Sequence, residues 1–379
     1  MDITIPALRP LPCCSRAWRG SLRAEEHVAD QKQKLELVKK PTVNDIARVA
    51  GVSLATVDRV LNRRPGVRAV TVQKVQKAID ELGYVRDTAA ANLARNRVYN
   101  FLFVLPDTDN EFVEAISNQI AEQSRDQFIE RTRITIKRVA PFEPQDIVNI
   151  LDAVDSLDVD GVAVFGPETP SVRDAVRRLK DKGVPVVALV SDLPSSERDH
   201  FVGIDNVSAG RTAGQLMGRF VHREGKVLVL TGSRLARDHL ERRQGFDLVV
   251  AEEFPHLEVV ASVEGRDDPD LIYKMMPEIF ETYPDLVGIY SSAAGNAGLI
   301  QFLSENKLSK DLVIIAHELT PLSREALRLG TFDALISQDT GHIVRSAVRL
   351  LRATSDKVPF NKAQERIRID IYLRENLPP

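Results

Sequence analysis

The stretch TVNDIARVAGVSLATVDRVLN, residues 42–62, contains two short helical patterns separated by a tight turn. Thr42 is followed three residues later by Asp45, which resembles a capping box with Asp in place of Glu and predicts the start of a helix. Gly51 ends that helix, and Ser53 caps a second one. The stretch therefore predicts two helices joined as a helix-turn-helix.

A third helix is predicted behind this pair, from about Thr71 to Leu82, with Gly83 as its end. When a third helix supports two helices joined by a tight turn, the second helix enters the major groove of DNA. Val49, Val52, Val57, Val60 and Leu61 are spaced to pack between the helices, and Val72, Val75, Ile79 and Leu82 share one face of the third.

The helical segment is basic although the chain as a whole is not. Residues 38–97 contain twelve Lys or Arg against five Asp or Glu, a net charge of +7, whereas the whole chain carries −3. Phosphate neutralisation dominates affinity for DNA, so a basic module on an acidic body is typical of a DNA-binding head. A solvated basic face is the alternative interpretation.

The N-terminal residues 1–37 lack apolar periodicity and predict a disordered tail, with Val38 as an alternative start of the natural chain. No apolar run approaches the roughly 20 residues that cross a bilayer, and no signal peptide precedes the adjacent Cys13 and Cys14. Neighbouring cysteines rarely form a strain-free bridge, and two are too few for a structural zinc site. We expect a cytoplasmic, disulfide-free protein without a metal or cofactor.

After Tyr99, short apolar runs alternate with amphipathic helical segments. Continuous apolar strands separated by helices are typical of doubly wound parallel sheets. The runs are too numerous for one sheet, so we expect a multidomain chain: an all-α head and an α/β body of two lobes over residues 98–375. No G-x-S-x-G elbow, phosphate loop or dinucleotide fingerprint is present, which argues against an enzyme.

Residues 42–62, together with VQKAIDELGYVRD at 75–87, resemble the head of the lac repressor family of transcriptional regulators. The resemblance implies a DNA-binding domain at 38–86, a hinge helix at 87–97 and a periplasmic-binding-protein-like body. It implies base contacts by Leu54, Ala55 and Arg59, phosphate contacts by Ser53, Thr56, Asn62 and Thr71, and minor-groove contacts by Ala90 and Leu93.

Two departures from the family pattern affect this head. Asp58 replaces the usual serine, and a carboxylate near phosphates is costly unless it meets cytosine N4 or a neighbouring arginine. Arg86 and Asp87 replace the usual Pro-Asn before the hinge, which leaves a plain linker as the alternative to a hinge helix. The resemblance further implies a homodimer that binds a pseudo-palindromic operator.

In the body, the resemblance implies a site for a small sugar or polyol beyond the carboxyl ends of the strands. Ala293 occupies a position where the family commonly carries an aspartate. His317 is interpreted as structural, and Arg243 is expected in solvent. A transport receptor is the rival function for the body alone. The expected ligand contacts are Asn110, Phe112, Ser191, Asp192, Arg242, Asn296, Glu318 and Gln338.

Overall fold

The computed structural model describes residues 41–61, 64–84, 97–125, 131–308 and 311–378. The chain forms two compact units, Met1–Asp87 and Thr88–Pro379. The tail at 1–37, most of the expected hinge at 87–97, and the contacts expected of Asn62, Ala90 and Leu93 lie outside the described residues.

The first unit contains helices α1 (Val43–Ala50), α2 (Leu54–Leu61) and α3 (Ala69–Leu82). The predicted capping box is confirmed: Thr42 N donates to Asp45 Oδ2 at 2.9 Å, and Asp45 N donates to Thr42 Oγ1 at 3.4 Å. Gly51 ends α1 with a left-handed φ of 67°, a conformation that glycine adopts without strain.

The core of this unit is formed by Ile46, Val57, Val75 and Ala78, each at most 1% exposed. The expected packing was wrong for Val49, which is 42% exposed. Val49 follows Ile46 by three residues, which is a rotation of about 300° around the helix axis, or about 60° short of a full turn. Its side chain therefore points about 60° away from the buried direction of Ile46, towards solvent.

The second unit begins with a five-stranded parallel sheet in the order β2-β1-β3-β4-β5. Its inner strands β1, β3 and β4 are buried, as expected when helices cover both faces, whereas the edge strand β2 alternates exposed and half-buried residues. Its elements are β1 (Tyr99–Pro106), α4 (Glu111–Arg125), β2 (Thr132–Val139), α5 (Pro144–Asp152), β3 (Gly161–Val164), α6 (Pro170–Asp181), β4 (Val186–Leu189) and β5 (His200–Val202).

A seven-stranded sheet forms the second lobe, with strand order β12-β11-β10-β9-β6-β7 and β8 beside β6. Only β12 is antiparallel to its neighbour. Its elements are α7 (Asn206–Phe220), β6 (Gly225–Thr231), α8 (Arg237–Glu253), β7 (Leu257–Val259), β8 (Val263–Glu264), α9 (Pro269–Thr282), β9 (Leu286–Ser291), α10 (Asn296–Asn306), β10 (Val313–His317), α11 (Pro321–Leu329), β11 (Ala334–Ser337) and β12 (Asp370–Tyr372).

Between β11 and β12 the chain returns to the first lobe, where α12 (Thr340–Asp356) packs on β3 and β4. The expected fold class, a small helical head and two doubly wound lobes, is confirmed. The apolar pattern did not predict the three-residue strands β5 and β12. No helix in the described ranges is long and apolar enough to cross a membrane.

Helices α7 and α8 pack with their backbones almost in contact because each helix places a glycine against the backbone of the other. A Cβ at Gly210 would lie 1.9 Å from Arg242 O, and one at Gly245 would lie 2.0 Å from Val207 O. Side chains larger than hydrogen would separate the helices. Because the backbone of Arg242 lies against Gly210, this close approach fixes the position from which the Arg242 side chain extends.

Candidate functional site

The outer face of α2 carries the three side chains expected to read bases. Leu54 is 49% exposed, and Ala55 and Arg59 are also exposed, whereas Val57 on the opposite face is fully buried. The buried face fixes α2 on the head and leaves the opposite face exposed, as a recognition helix requires. Arg59 has the donor geometry to hold a guanine through two hydrogen bonds.

Two of the residues expected near phosphates, Ser53 and Thr56, lie at the start of α2. Ser53 Oγ accepts from Thr56 N at 3.2 Å and lies 2.9 Å from Thr56 Oγ1. Thr71 lies in the first turn of α3 and is half-buried. Asp58 Oδ2 lies 3.3 Å from Arg64 Nη1, so an arginine offsets the charge of the unusual carboxylate.

A cavity of about 760 Å³ lies between the two lobes of the second unit. It is lined by residues that follow strands of both sheets, the position where open α/β folds bind ligands. Six of the eight side chains expected to contact a ligand line it: Asn110, Phe112, Ser191, Arg242, Asn296 and Glu318.

Arg242 is the centre of the polar wall and is only 3% exposed. Its Nε donates to Asn206 Oδ1 and its Nη1 to Ser292 O, both at 2.9 Å. Its Nη2 lies 3.6 Å from Glu318 Oε1. Burial raises the pKa of Glu318, although the positive charge of Arg242 opposes that rise.

Phe112 is both a core residue and a cavity residue. It is 7% exposed and packs in the largest apolar cluster, yet it also lines the cavity. Asn110 Oδ1 accepts from Phe112 N at 2.9 Å and so fixes the start of α4. At the opposite lobe, Ser291 Oγ donates to Asn296 Oδ1 at 2.7 Å.

Two expected contact residues do not line the cavity. Asp192 is bound on both carboxylate oxygens by Arg198, with 2.6 Å between Oδ2 and Nη2. Gln338 lies behind Glu318 and donates from Nε2 to its Oε1 at 2.9 Å. The expected ligand contacts of Asp192 and Gln338 stay predictions, and in this structure Gln338 positions Glu318.

The prediction for Arg243 was also wrong. It was expected in solvent, but its Nε donates to Asp247 Oδ2 at 2.6 Å and its Nη1 to Ser262 Oγ at 2.5 Å. These bonds hold it on the side of α8 away from the cavity. Arg242 and Arg243 are adjacent in sequence and have different environments because successive helical residues point about 100° apart.

Sequence reasoning missed Asp238, His239 and Asp267, which all line the cavity. Asp238 lies four residues before Arg242 on the same helix face, a spacing that could have indicated it. Asp267 had no such signal, because it lies in a turn where it and Arg266 adopt left-handed φ values of 59° and 51°.

Comparisons with known proteins agree with this architecture. Residues 42–87 match the bacterial regulatory proteins of the lacI family, and residues 101–357 match the periplasmic binding protein domain. The HTH-type transcriptional regulator CelR of Thermobifida fusca is 25% identical over 334 residues, which cover 84% of this chain and 92% of that protein.

The match to the HTH-type transcriptional regulator DegA of Bacillus subtilis is shorter: 26% identity over 195 residues, or 51% of this chain and 56% of that one. The chain thus spans little more than half the length of that relative. A glucose-galactose binding protein from Geobacillus stearothermophilus shares the fold, with a TM-score of 0.67 at 21% identity over 75% of this chain and 100% of that one. The chain belongs to the lacI family of bacterial regulatory proteins and carries a periplasmic-binding-protein domain as its body.

Proposed function

We propose that this protein is a sequence-specific, DNA-binding transcriptional regulator of carbohydrate genes, controlled by a small sugar or polyol in the cavity of its body. The observation that carries the proposal is the exposed face of α2 in a basic head. A basic helix-turn-helix head that leaves Leu54, Ala55 and Arg59 exposed is typical of a DNA-binding protein and is not needed by a transport receptor.

The cavity supports a polyhydroxylated ligand. Hydroxyl groups both donate and accept hydrogen bonds, so they need a wall that offers both. Asn110, Ser191, Arg242 and Glu318 offer donors and acceptors in the same cavity that Phe112 lines. The ribitol operon repressor of Klebsiella aerogenes, 26% identical over 197 residues, is a relative whose name refers to a polyol operon.

We further propose a cytoplasmic homodimer whose two heads bind a pseudo-palindrome, because protein two-fold symmetry is mirrored in the DNA site. Ligand binding would change operator affinity by linkage between the two sites. Ala90 and Leu93 are proposed as the minor-groove contacts of the hinge, and Asn62 as a phosphate contact.

A transport receptor and an enzyme are the two alternative functions. The match of the body to a sugar-binding protein supports a transport receptor, but the basic head and its exposed face favour a regulator. An enzyme is not supported by the relatives, which are regulators and sugar-binding proteins.

The test is binding of the purified full chain to the DNA upstream of its own gene, measured at a stated salt concentration. The measurement is repeated with a panel of pentoses, hexoses and polyols. A specific complex that one sugar releases or strengthens supports the regulator. Absence of a specific complex under every condition, with sugar binding retained, supports the receptor instead.

A further inference from the structure

The chain enters the first lobe at Arg97, the last residue of the expected hinge. Its guanidinium holds two carboxylates at once: Nη1 lies 2.9 Å from Asp356 Oδ1, and Nη2 lies 3.0 Å from Asp160 Oδ1. The guanidinium carbon also lies 4.6 Å from the centre of the Tyr99 ring. We name Arg97, Tyr99, Asp160 and Asp356 the entry clamp.

The two carboxylates of the entry clamp belong to separate elements of the first lobe. Asp356 ends α12, and Asp160 directly precedes β3. Asp160 Oδ2 also accepts from Asn100 N at 2.9 Å, and Asp160 O accepts from Ser355 Oγ at 2.8 Å. Arg97 is therefore fixed at a point where β1, β3 and the last turn of α12 are already bonded to one another.

Tyr99 fixes the second oxygen of Asp356. The tyrosine is 4% exposed, and its Oη donates to Asp356 Oδ2 at 2.5 Å. Burial, together with this hydrogen bond, raises the pKa of Tyr99 to about 12, so the hydroxyl keeps its proton and remains a donor. Asp356 thus accepts on both oxygens, and hydrogen bonds to a charged carboxylate are about twice as strong as neutral ones. The carboxylate that holds Arg97 has little freedom to turn.

Helix α12 connects the entry clamp with the boundary between the lobes. It has 17 residues and is therefore about 25 Å long. Its N-cap, Asp339, follows Gln338, which donates to Glu318 of the cavity wall. Along its length, Ile343 and Leu351 are fully buried against the first lobe. A helix packed this closely moves with its lobe as one body, so the entry clamp follows every displacement of the first lobe.

An ion pair outside the cavity lining joins the two lobes. Arg237 Nη1, at the start of α8 in the second lobe, lies 3.0 Å from Glu168 Oε2, between β3 and α6 of the first. Glu168 is 8% exposed in its side chain, and its Oε1 accepts from Ser195 N at 2.9 Å. The pair favours the arrangement of the lobes in which its partners meet, and its removal weakens that preference.

On the basis of the proposed function, we propose that Arg97 is the positioning residue through which movement of the first lobe reaches the DNA-binding head. Without a fixed entry, the lobe moves and the end of the hinge stays behind. With the entry clamp formed, the end of the hinge follows the lobe. Arg97 does not line the cavity, so it acts through the hinge and not by contact with ligand. Two sites are coupled only through an element whose state both of them sense, and the entry clamp is that element.

The experiment is a double-mutant cycle on the full chain, and it needs no ligand. The operator dissociation constant, on the DNA upstream of the gene, is measured for the wild type, Glu168→Gln, Arg97→Ala and the double variant. Glutamine keeps an acceptor for Ser195 N and removes the charge that binds Arg237. We expect Glu168→Gln alone to change operator affinity by about fivefold or more, in either direction. In the Arg97→Ala background, the same substitution should change it by less than about twofold.

A surface ion pair within the first lobe supplies the controls. Arg178 donates to both carboxylate oxygens of Asp152, at 2.9 and 2.8 Å. Asp152→Asn should leave operator affinity unchanged, and Arg178→Ala should leave the effect of Glu168→Gln unchanged. Chemical denaturation is measured on every variant, because a purely structural role of Arg97 lowers stability and leaves the effect of Glu168→Gln intact.

The variant Arg97→Lys covers the case in which Arg97→Ala does not fold. Lysine keeps the positive charge but lacks the planar fork that spans both carboxylates. The effect of Glu168→Gln on operator affinity should therefore fall by about half or more in the Arg97→Lys background.

An equal effect of Glu168→Gln with and without Arg97 overturns the proposal and leaves the proposed function standing. The same holds if Glu168→Gln changes operator affinity in neither background. An effect that disappears in the Arg97 variants and persists in Arg178→Ala supports the proposal. If the wild type forms no specific operator complex, the proposed function fails, and the coupling is overturned with it.

Discussion

Arg242 Nη2 lies 3.6 Å from Glu318 Oε1, and both side chains are almost completely buried. The pair joins α8 to the carboxyl end of β10, and Gln338 holds Glu318 from behind. A buried ion pair is worth little net stability, but breaking it leaves an uncompensated charge. The wall of the cavity therefore depends on both partners.

We expect Arg242→Ala to bind operator and to lose its response to ligand. Removal of the guanidinium leaves Glu318 buried without its partner, which should lower the free energy of unfolding of the body by about 3–5 kcal/mol. Chemical denaturation and operator binding with and without ligand measure the two effects. Arg243→Ala is the matched control, and a normal ligand response in Arg242→Ala would remove this arginine from the site.

Gly210→Ala should destabilise the body and weaken ligand binding together. The added methyl group would meet Arg242 O at 1.9 Å, so α7 and α8 must separate. Overpacking of this kind costs about 1–3 kcal/mol, measured by denaturation. Ser208→Ala on the same helix adds no volume and should leave ligand affinity unchanged. Wild-type stability in Gly210→Ala would contradict the close approach of the helices.

Arg59→Ala should lose specific operator binding and keep much of its non-specific affinity. A bidentate contact to guanine contributes about 1–3 kcal/mol of discrimination, or about 5- to 150-fold in affinity. Fluorescence anisotropy on operator and scrambled duplexes gives the ratio. Lys77→Ala removes an exposed positive charge from α3 and should leave that ratio unchanged. An equal loss on both duplexes would make Arg59 a phosphate contact.

The head should lose helix stability in acid through Asp45. Hydrogen bonds from the Thr42 backbone and hydroxyl, with a contribution from Arg48, lower the pKa of Asp45 from 3.8 to about 2. A pKa lowered in the folded state contributes stability that is present above pH 4 and lost as the pH falls from about 4 to about 2.

Amide exchange across residues 41–61, corrected for the intrinsic pH dependence of exchange, measures this loss. In Asp45→Asn the extra acid sensitivity should disappear, whereas Asp80→Asn in α3 should retain it. Identical acid profiles for Asp45→Asn and the wild type would show that the capping box does not control the start of α1.

The amino-acid sequence by itself determined the helix-turn-helix and the two α/β lobes. The capping pair Thr42 and Asp45 and the end at Gly51 act over four residues or fewer, so local hydrogen bonds decide them. The apolar runs of the body likewise predict buried strands wherever they occur.

Only the tertiary structure decided which side chains face the cavity. Asp192 turns to Arg198, Gln338 turns to Glu318, and Asp267 enters the lining from a strained turn. The contact between Gln338 and Glu318 depends on β10 and β11 being neighbours in the sheet, whereas the pair of Asp192 and Arg198 forms within the loop between β4 and β5. Spacing along the chain carries no record of such contacts, because the partners are chosen by the fold and by charges that must be paired once they are buried.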